Sequence, residues 1–289
     1  TIVDIGGHNI QAYPLLGCMA GWFVSLYRMP HLQFDGTAVY TNKAPGCAMQ
    51  GYGNPQVSFA VESMIDIMAE ELGMDPIALR LKNYVGLGET FWGQGPTVRS
   101  VIRSCGVEEM LLKGKDMIEW DQRVSPDKKT GRYRKGVGVA RGFHTSGTGA
   151  PTPGEVIDYS TAMVKVNEDG SADFSTALMC HGGGTLEAGA KIVAEELGIP
   201  IDKVGISPAD TRSTGYDVCT HATRGIYCGG ASIQRAAKEA KAKLLKFASR
   251  LLDVNPEALK IQPREESDQG HIFLPGSLEK HIPVGEVAK

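Results

Sequence analysis

Apolar positions repeat at helical spacing in one segment of the first half of the chain. Between residues 57 and 72 they form a single stripe of Val57, Ala60, Val61, Met64, Met68 and Leu72. Spacings of three and four residues place side chains on one face of a helix. Pro55 near the start and Gly73 just past the end are typical helix boundaries. The pattern predicts a helix here, a second short helix from Asp75 to about Leu81, and a third over residues 107–120.

The second half opens with two segments in which apolar and polar residues alternate, residues 162–166 and 172–178. Asp169-Gly170 between them is typical of a β-hairpin. Residues 186–197 carry a helical stripe for which Thr185 is the expected N-cap, residues 201–207 predict a short strand, and residues 231–252 predict a long helix. Together these elements predict an α+β fold.

A polar, basic stretch, residues 123–135, lies between the two halves. We interpret it as a solvated connector rather than a nucleic-acid patch, because no aromatic residues are interleaved along it. The glycine-rich residues 86–96 are expected to form a loop. The connector predicts two subdomains, residues 1–134 and 135–289.

Composition narrows the class of protein. Apolar residues make up 42% of the chain, charged residues 22%, and the formal net charge is −3. This balance gives no basic field for nucleic acid, and no apolar run is long enough to predict a membrane span. The first residues resemble neither a signal peptide nor a transit peptide. Six scattered cysteines without a CxxC pair favour a reducing cytoplasm over a disulfide scaffold.

Three segments rich in glycine and small polar residues could carry chemistry: residues 41–56, 181–185 and 219–230. In the first, Gly51 and Gly53 flank Tyr52 directly before a helix, where exposed backbone N–H groups favour an anion or a polar cofactor. The other two also precede helices and also suit a phosphate. Each has a plainer interpretation, namely a tight turn or a helix start.

Two other kinds of site are less favoured by the spacing. A zinc site would use Cys180, His181, Cys219, His221 and Cys228. The adjacent Cys180 and His181 would point apart on a strand, and zinc sites show regularly spaced ligand pairs. A nucleophilic serine is also unsupported, because there is no G-x-S-x-G motif.

Together, the three segments resemble the xanthine dehydrogenase and aldehyde oxidoreductase family of molybdenum hydroxylases. Residues 41–56 are similar to its Thr-Asn-x5-Ala-Phe-Arg-Gly-Phe-Gly-x-Pro-Gln signature. Glu62, Asp75-Pro76, Arg80 and Asn83 are similar to the continuation of that signature. Residues 164–200 resemble the family's hairpin, glycine loop and helix, and residues 220–230 its second cofactor loop. The resemblance runs from about Ala38 to Leu245 and implies the two-subdomain molybdopterin-binding region of a large subunit.

The resemblance also implies roles for single residues. Tyr52 would stack on the substrate, and Cys18 would line the same pocket. The residues expected to contact the cofactor are Gln50, Gly51, Gly182, Gly183, Gly184, Ala222, Thr223 and Gly225. No side chain is expected to bind the metal directly.

The chain departs from the family pattern at several points. Gln50 stands where the signature has Arg, and Gly183 where the loop usually has Gln. No Arg precedes the signature near Cys18, which argues against xanthine as the substrate. The general-base glutamate of a Gly-x-Gly-Glu motif is not found, because Gly285-Glu286 lies in a different context, and an upstream Gly-Gln-Glu segment is missing. The catalytic residue is therefore unknown, and the chain resembles the middle of a subunit.

By the same resemblance, we expect a molybdenum–molybdopterin cofactor, either plain or as its cytosine dinucleotide. The 2Fe-2S centres and FAD would lie on partner subunits, since scattered cysteines do not suit an iron–sulfur cluster. The remaining part of the large subunit would complete the assembly, which we expect to be a dimer of heterotrimers. The implied reaction is hydroxylation of an N-heteroaromatic, aldehyde or related aromatic substrate with water as the oxygen source. Two alternatives stay open: a reductive member like 4-hydroxybenzoyl-CoA reductase, and a non-catalytic assembly subunit.

Overall fold

The computed structural model describes residues 1–8, 12–46, 50–91, 100–123, 131–144, 146–147, 158–263 and 267–289. The chain forms two compact units, Thr1–His144 and Thr145–Lys289. Most of the expected connector, residues 124–130, and residues 92–96 of the expected glycine-rich loop lie outside the described residues. The two units are therefore described separately.

The first unit is mainly helical. Strand β1 (Ile2–Asp4) leads to helix α1 (Ala12–Phe23), and β2 (Thr37–Val39) pairs in parallel with β1. Helices α2 (Asn54–Glu71) and α3 (Pro76–Asn83) follow. Strands β3 (Thr90–Phe91) and β4 (Ser100–Val101) pair antiparallel before α4 (Val107–Met117). The helices predicted over residues 57–72 and from Asp75 are confirmed. The helix predicted over residues 107–120 stops at Met117, and a 3-10 turn, Trp120–Gln122, follows it.

Helix α2 buries a face that coincides only in part with the predicted stripe, because Val57 and Val61 belong to both. Val57, Val61, Ile65 and Ala69, spaced four residues apart, are buried. Met64, Met68 and Leu72 of the predicted stripe are 52%, 41% and 64% exposed. Two apolar stripes lie side by side on this helix, and the one that faces α1 is buried. The spacing of apolar residues could not show which stripe α1 would cover.

A buried ion pair ties α2 to α3. The Arg80 guanidinium is fully buried, and its Nε donates to Glu62 Oε2 at 2.8 Å. The Tyr27 hydroxyl donates to Glu62 Oε1 at 2.5 Å, and the Arg141 backbone N–H donates to Glu62 Oε2 at 2.9 Å. Arg141 also places its guanidinium 5.1 Å from the centre of the Tyr27 ring. Residues 135–144 therefore belong to the first compact unit, Thr1–His144, and the subdomain boundary after residue 134 stays a prediction.

The second unit is an α+β layer structure. Strands β5 (Ala162–Val166) and β6 (Ala172–Thr176) form the predicted hairpin, and Gly170 has a φ of +83° in its turn. Helix α5 (Thr185–Leu197) leads to β7 (Val204–Ser207), which pairs in parallel with β6. Helix α6 (Ala231–Leu252) packs beside α5. A second sheet holds β8 (Lys260–Pro263), β9 (Gly270–Phe273) and β10 (His281–Pro283), and α7 (Val284–Ala288) follows it. The α+β prediction is confirmed.

Two local predictions in this unit need correction. Thr185 is the first residue of α5 rather than its N-cap, and Gly184 precedes it in a left-handed conformation without a side-chain cap. The turn of the glycine loop runs directly into the helix, so no extended residue is left to act as a cap. Residues Ile201–Lys203 form a 3-10 turn, so the strand predicted from residue 201 begins only at Val204.

Candidate functional site

The turn before α2 has an unusual backbone. Gly51, Tyr52 and Gly53 have φ values of +92°, +22° and +87°. A Cβ atom on Gly53 would lie 3.1 Å from the backbone nitrogen of Met19 and 3.2 Å from Cys18 Cβ. Glycine is needed here both for the left-handed backbone and for the close approach of α1. The two glycines thus hold Tyr52 in a turn pressed against α1.

Trp22 on α1 fixes the backbone of this turn. Its indole Nε1 donates to the Tyr52 carbonyl oxygen at 3.1 Å. The Trp22 ring lies 5.4 Å from the Phe143 ring and 5.0 Å from the His144 ring. The Asn54 side-chain amide donates to the Phe143 carbonyl oxygen. Aromatic groups from two separate stretches of sequence, Trp22 and Phe143–His144, therefore lie beside the turn.

Tyr52 and Cys18, the two residues expected to contact substrate, lie close together in the first unit. Burial raises the pKa of Tyr52, and the nearby Cys18 raises it further. Burial also raises the pKa of the Cys18 thiol. Both groups are therefore held neutral in a half-buried, largely apolar setting. Gln50, in the same turn as Tyr52, is exposed.

The glycine loop of the second unit follows β6 and a buried Leu178. Cys180, His181, Gly182 and Gly183 are exposed. A Cβ atom on Gly182 or Gly183 would meet no atom within 4 Å. Backbone N–H groups of Thr185, Gly182 and Gly184 donate to the Cys180 sulfur and lower the pKa of its thiol. Backbone donors are thus gathered at the start of α5, an arrangement that favours negative charge.

The third segment meets this glycine loop. The Thr220 hydroxyl donates to the Met179 carbonyl oxygen at 3.3 Å. A Cβ atom on Gly225 would lie 3.5 Å from Thr185 Cγ2. Ala222 and Thr223, between these two contacts, have φ values of +47° and +53°. The expected cofactor residues of the second unit are thus brought together on two adjoining loops.

Sequence reasoning gave no role to Arg224, a residue of the third segment whose side chain is fully buried. It forms ion pairs with Asp158 at 2.9 Å and with Asp217 at 2.8 Å. Although burial acts to lower the pKa of Arg224, its bonds to Asp158 and Asp217 raise it above the ordinary value. A lone Arg before a helix gives no sign of burial, and Asp158 is far from it in sequence. Trp22 and Phe143 were also missed, because the residues that they contact are far from them in sequence.

The family assignment rests on residues 113–289 and 1–84, each of which matches the molybdopterin cofactor-binding domain. The chain belongs to this family. The predicted resemblance to xanthine dehydrogenase and aldehyde oxidoreductase is therefore confirmed for a partial molybdenum-binding subunit.

Relatives and solved structures agree with the assignment. The xanthine dehydrogenase molybdenum-binding subunit of Escherichia coli O157:H7 is 34% identical over 251 residues, which cover 86% of this chain and 32% of that protein. The aldehyde oxidoreductase of Megalodesulfovibrio gigas is 34% identical over 221 residues, 76% of this chain and 22% of that protein. The structure of quinoline 2-oxidoreductase from Pseudomonas putida 86 has a TM-score of 0.81 at 26% identity, covering 99% of this chain and 36% of that one. This molybdopterin-binding chain spans about a third of the length of the first relatives it matches.

The described residues of the molybdopterin-binding chain include no group of three or more His, Cys, Asp or Glu side chains that could hold a metal ion. Cys219 Sγ and His221 Nδ1 lie 2.8 Å apart. Among the same residues, no helix has the length and apolarity that crossing a membrane would require.

Gly285-Glu286, the only near match to the family's base motif, has a structural explanation. A Cβ atom on Gly285 would lie 2.6 Å from the Glu168 carbonyl oxygen and 2.8 Å from the Gly170 nitrogen. Gly285 is therefore needed where α7 packs on the β5–β6 turn. Glu286 itself is exposed, and nothing in its surroundings marks it as a catalytic base.

Proposed function

We propose that this chain is the cofactor-binding part of the large subunit of a molybdenum hydroxylase. The observation that carries the proposal is the meeting of the glycine loop, Gly182 to Gly184, with the Ala222–Thr223 loop in the second unit. The proposed reaction hydroxylates an N-heteroaromatic, aldehyde or related aromatic substrate with oxygen from water. When bound, the molybdenum cofactor would supply the two-electron redox chemistry.

The second unit fits an anionic, flat cofactor in two ways. The amides of Gly182, Gly184 and Thr185 converge on the Cys180 sulfur, which gathers backbone donors at the start of α5, where an anion is favoured. The open space above Gly182 and Gly183 lets a ring or phosphate approach the backbone without meeting a side chain. Gly225 would hold the phosphate end. In the first unit, the backbone of Gln50 and Gly51 would approach the metal centre.

The first unit fits a planar substrate. Tyr52 is held by the Trp22 N–H and lies beside Cys18 in a half-buried apolar setting. An aromatic ring stacked on a substrate contributes about 1 kcal/mol beyond its buried area. An aldehyde oxidoreductase and a quinoline 2-oxidoreductase are among the proteins that resemble this chain, and quinoline is a planar N-heteroaromatic. We therefore propose a planar aromatic compound or an aldehyde as the substrate class.

A Tyr52→Ala variant of the native complex tests the substrate assignment. We expect KM to rise roughly fivefold, which corresponds to a loss of about 1 kcal/mol. The cofactor content should not change. Tyr52→Phe, which keeps the ring, is the matched control and should retain most of the affinity. Equal KM values for Tyr52→Ala and the unsubstituted enzyme would refute this role.

A Gly183→Ala variant tests the cofactor assignment. A methyl group at Gly183 meets no protein atom within 4 Å, so it should leave the fold intact and obstruct only a bound group. We expect the molybdenum and pterin content of the purified complex to fall. The control is Gly138→Ala, which also meets no atom within 4 Å. Full cofactor content in both variants would contradict the proposed contact.

The rest of the enzyme is proposed on the same basis. We propose an iron–sulfur subunit, a FAD subunit and the remaining part of the large subunit as partners, in a dimer of heterotrimers in the cytoplasm. The cofactor would be molybdopterin or its cytosine dinucleotide. Native mass spectrometry of the complex, followed by nucleotide analysis of the released pterin, tests these points. Turnover only with a strong reductant would identify a reductive enzyme, and a complex without turnover or cofactor would identify an assembly subunit.

A further inference from the structure

The loop that carries Ala222 and Thr223 has a backbone conformation that is unfavourable for both residues. Both residues are non-glycine, and both have left-handed φ values, +47° and +53°. Side chains crowd the following carbonyl group in this conformation, so each residue raises the free energy of the loop. Thr223 is exposed, so burial of its side chain does not compensate. The Gly147 N–H supports the loop in part, because it donates to the Ala222 carbonyl oxygen at 2.8 Å, and further support comes from contacts elsewhere in the loop.

Arg224 makes those contacts. Its Nη1 donates to Asp217 Oδ1 and to the Cys219 carbonyl oxygen, both at 2.8 Å. Its Nη2 donates to the Tyr159 carbonyl oxygen at 2.7 Å and to Ser160 Oγ at 2.9 Å, and its Nε donates to Asp158 Oδ1 at 2.9 Å. The guanidinium therefore joins residues 158–160 to residues 217–219.

Two of the groups that accept hydrogen bonds from Arg224 are also bonded to each other, and the network is largely buried. The Ser160 hydroxyl donates to Asp217 Oδ2 at 2.6 Å, so this carboxylate is shared between two donors. The side chain of Arg224 is 0% exposed and that of Asp217 is 4% exposed. Charged hydrogen bonds in such a water-excluded place are strong and directional. A planar guanidinium with a fixed fork of donors can satisfy all these acceptors at once, whereas an ammonium group cannot.

We propose that Arg224 is a positioning residue that holds the loop of residues 219–223 in the shape that receives the molybdopterin. It contacts the loop and not the cofactor. The inference rests on the proposed function, because it assumes that Ala222 and Thr223 contact the cofactor. Loss of the guanidinium fork should let the left-handed residues relax, and the cofactor should then dissociate faster.

The test compares Arg224→Lys with Arg212→Lys in the native complex. Arg212 is an exposed arginine of the same unit that pairs with Asp210. Arg212→Lys therefore makes the same change of side chain at a site that is not buried. We expect the cofactor of Arg224→Lys to dissociate about 10- to 100-fold faster, as when residues that support a ligand shell are lost. Amide exchange should accelerate in residues 217–224 and remain unchanged in β6 and α6. Arg212→Lys should show neither effect.

The outcomes separate this inference from the proposed function. If the unsubstituted complex holds molybdenum and pterin and Arg224→Lys releases them at the same rate, the inference is wrong and the proposed function stands. Faster exchange throughout β6 and α6 would show a general structural role and would also overturn it. Asp158→Asn provides a milder variant, which keeps the guanidinium and should give an intermediate dissociation rate. If the unsubstituted complex holds no cofactor, the proposed function fails.

Discussion

A Gly229→Ala substitution at the start of α6 should disturb the glycine loop, because the added methyl group would contact the Leu178 side chain that precedes the loop. Gly229 is buried in the π-helical turn Gly225–Gly230 that leads into α6. A Cβ atom placed on it would lie 2.6 Å from Leu178 Cδ2 and 2.8 Å from Leu178 Cγ. Carbon atoms in contact normally lie about 3.5–4.0 Å apart, so one of the two segments would have to move.

The expected magnitude follows from two opposing effects. Overpacking of a filled core destabilises by about 1–3 kcal/mol, and Leu178 is only 2% exposed within the core cluster of the second unit. Alanine is favoured over glycine in a helical turn by up to about 1 kcal/mol. Gly229→Ala should therefore lower the free energy of unfolding by about 1–2 kcal/mol. The displaced Leu178 should also disturb the residues that follow it, 179–184.

The assay must report on the second unit. All three tryptophans precede residue 145 in the sequence, so their fluorescence is not expected to report on the unfolding of the second unit. Hydrogen exchange of the most protected amides of β6 and α6 gives the free energy of opening directly. A double-mutant cycle with Leu178→Ala supplies the control, because the smaller side chain makes room for the new methyl group.

Leu178→Ala alone should destabilise by about 2–5 kcal/mol through the cavity it leaves. The double variant should be less destabilised than the sum of the two single variants by about 1 kcal/mol or more. Additivity within about 0.5 kcal/mol, or a neutral Gly229→Ala, would refute the packing argument.

Three further predictions concern the first unit, where urea unfolding can be followed by tryptophan fluorescence. Arg80→Met should lower the free energy of unfolding by about 3–5 kcal/mol, because it leaves Glu62 charged and buried without its partner; a loss below about 1 kcal/mol would contradict the buried pair. Asp75 caps α3 through the Ile77 and Ala78 amides and accepts the Trp120 indole N–H at 2.6 Å. Asp75→Ala should therefore destabilise by about 2 kcal/mol, whereas Asp75→Asn should keep the cap and lose only the bonds of Oδ2 to the Trp120 indole and to Arg123. Burial, followed by the Glu62 carboxylate, raises the pKa of Tyr27 well above its ordinary value of 10.0. The unfolded chain then releases this proton first, so the contribution of Tyr27 to stability should be constant below pH 10.0 and fall as the pH rises above it. Tyr27→Phe should make the decline above pH 10.0 shallower, and an unchanged pH profile would refute the assignment.

Local sequence signals predicted the secondary structure well where a single residue controls the backbone. Asp75-Pro76 gives both the cap and the first turn of α3, and Asp169-Gly170 gives the β5–β6 turn, with Gly170 at a positive φ. These features depend on neighbours in sequence, so a short window is enough to identify them. Helix α6 was predicted in the same way, from its run of helix-forming residues.

The parts that could not be predicted depend on partners distant in sequence. The buried face of α2 depends on α1, a helix that the sequence analysis did not identify. The backbone of Tyr52 is held by Trp22, thirty positions away, and the loop before Arg224 is held by Asp158, sixty-six positions away. One sequence contains no signal for such pairs. The expected roles of all the substrate and cofactor residues came from resemblance to the family and remain predictions.

The most direct test of the central claim is the molybdenum and pterin content of the native complex, purified without dissociation. Elemental analysis gives the metal, and fluorescence of the oxidised, released pterin gives the organic part of the cofactor. The account predicts close to one molybdenum and one pterin for each copy of this chain, with iron also present from a partner subunit. An intact complex that contains neither molybdenum nor pterin, or that contains zinc as its only metal, would contradict the account. Only the similarity in fold would then remain supported.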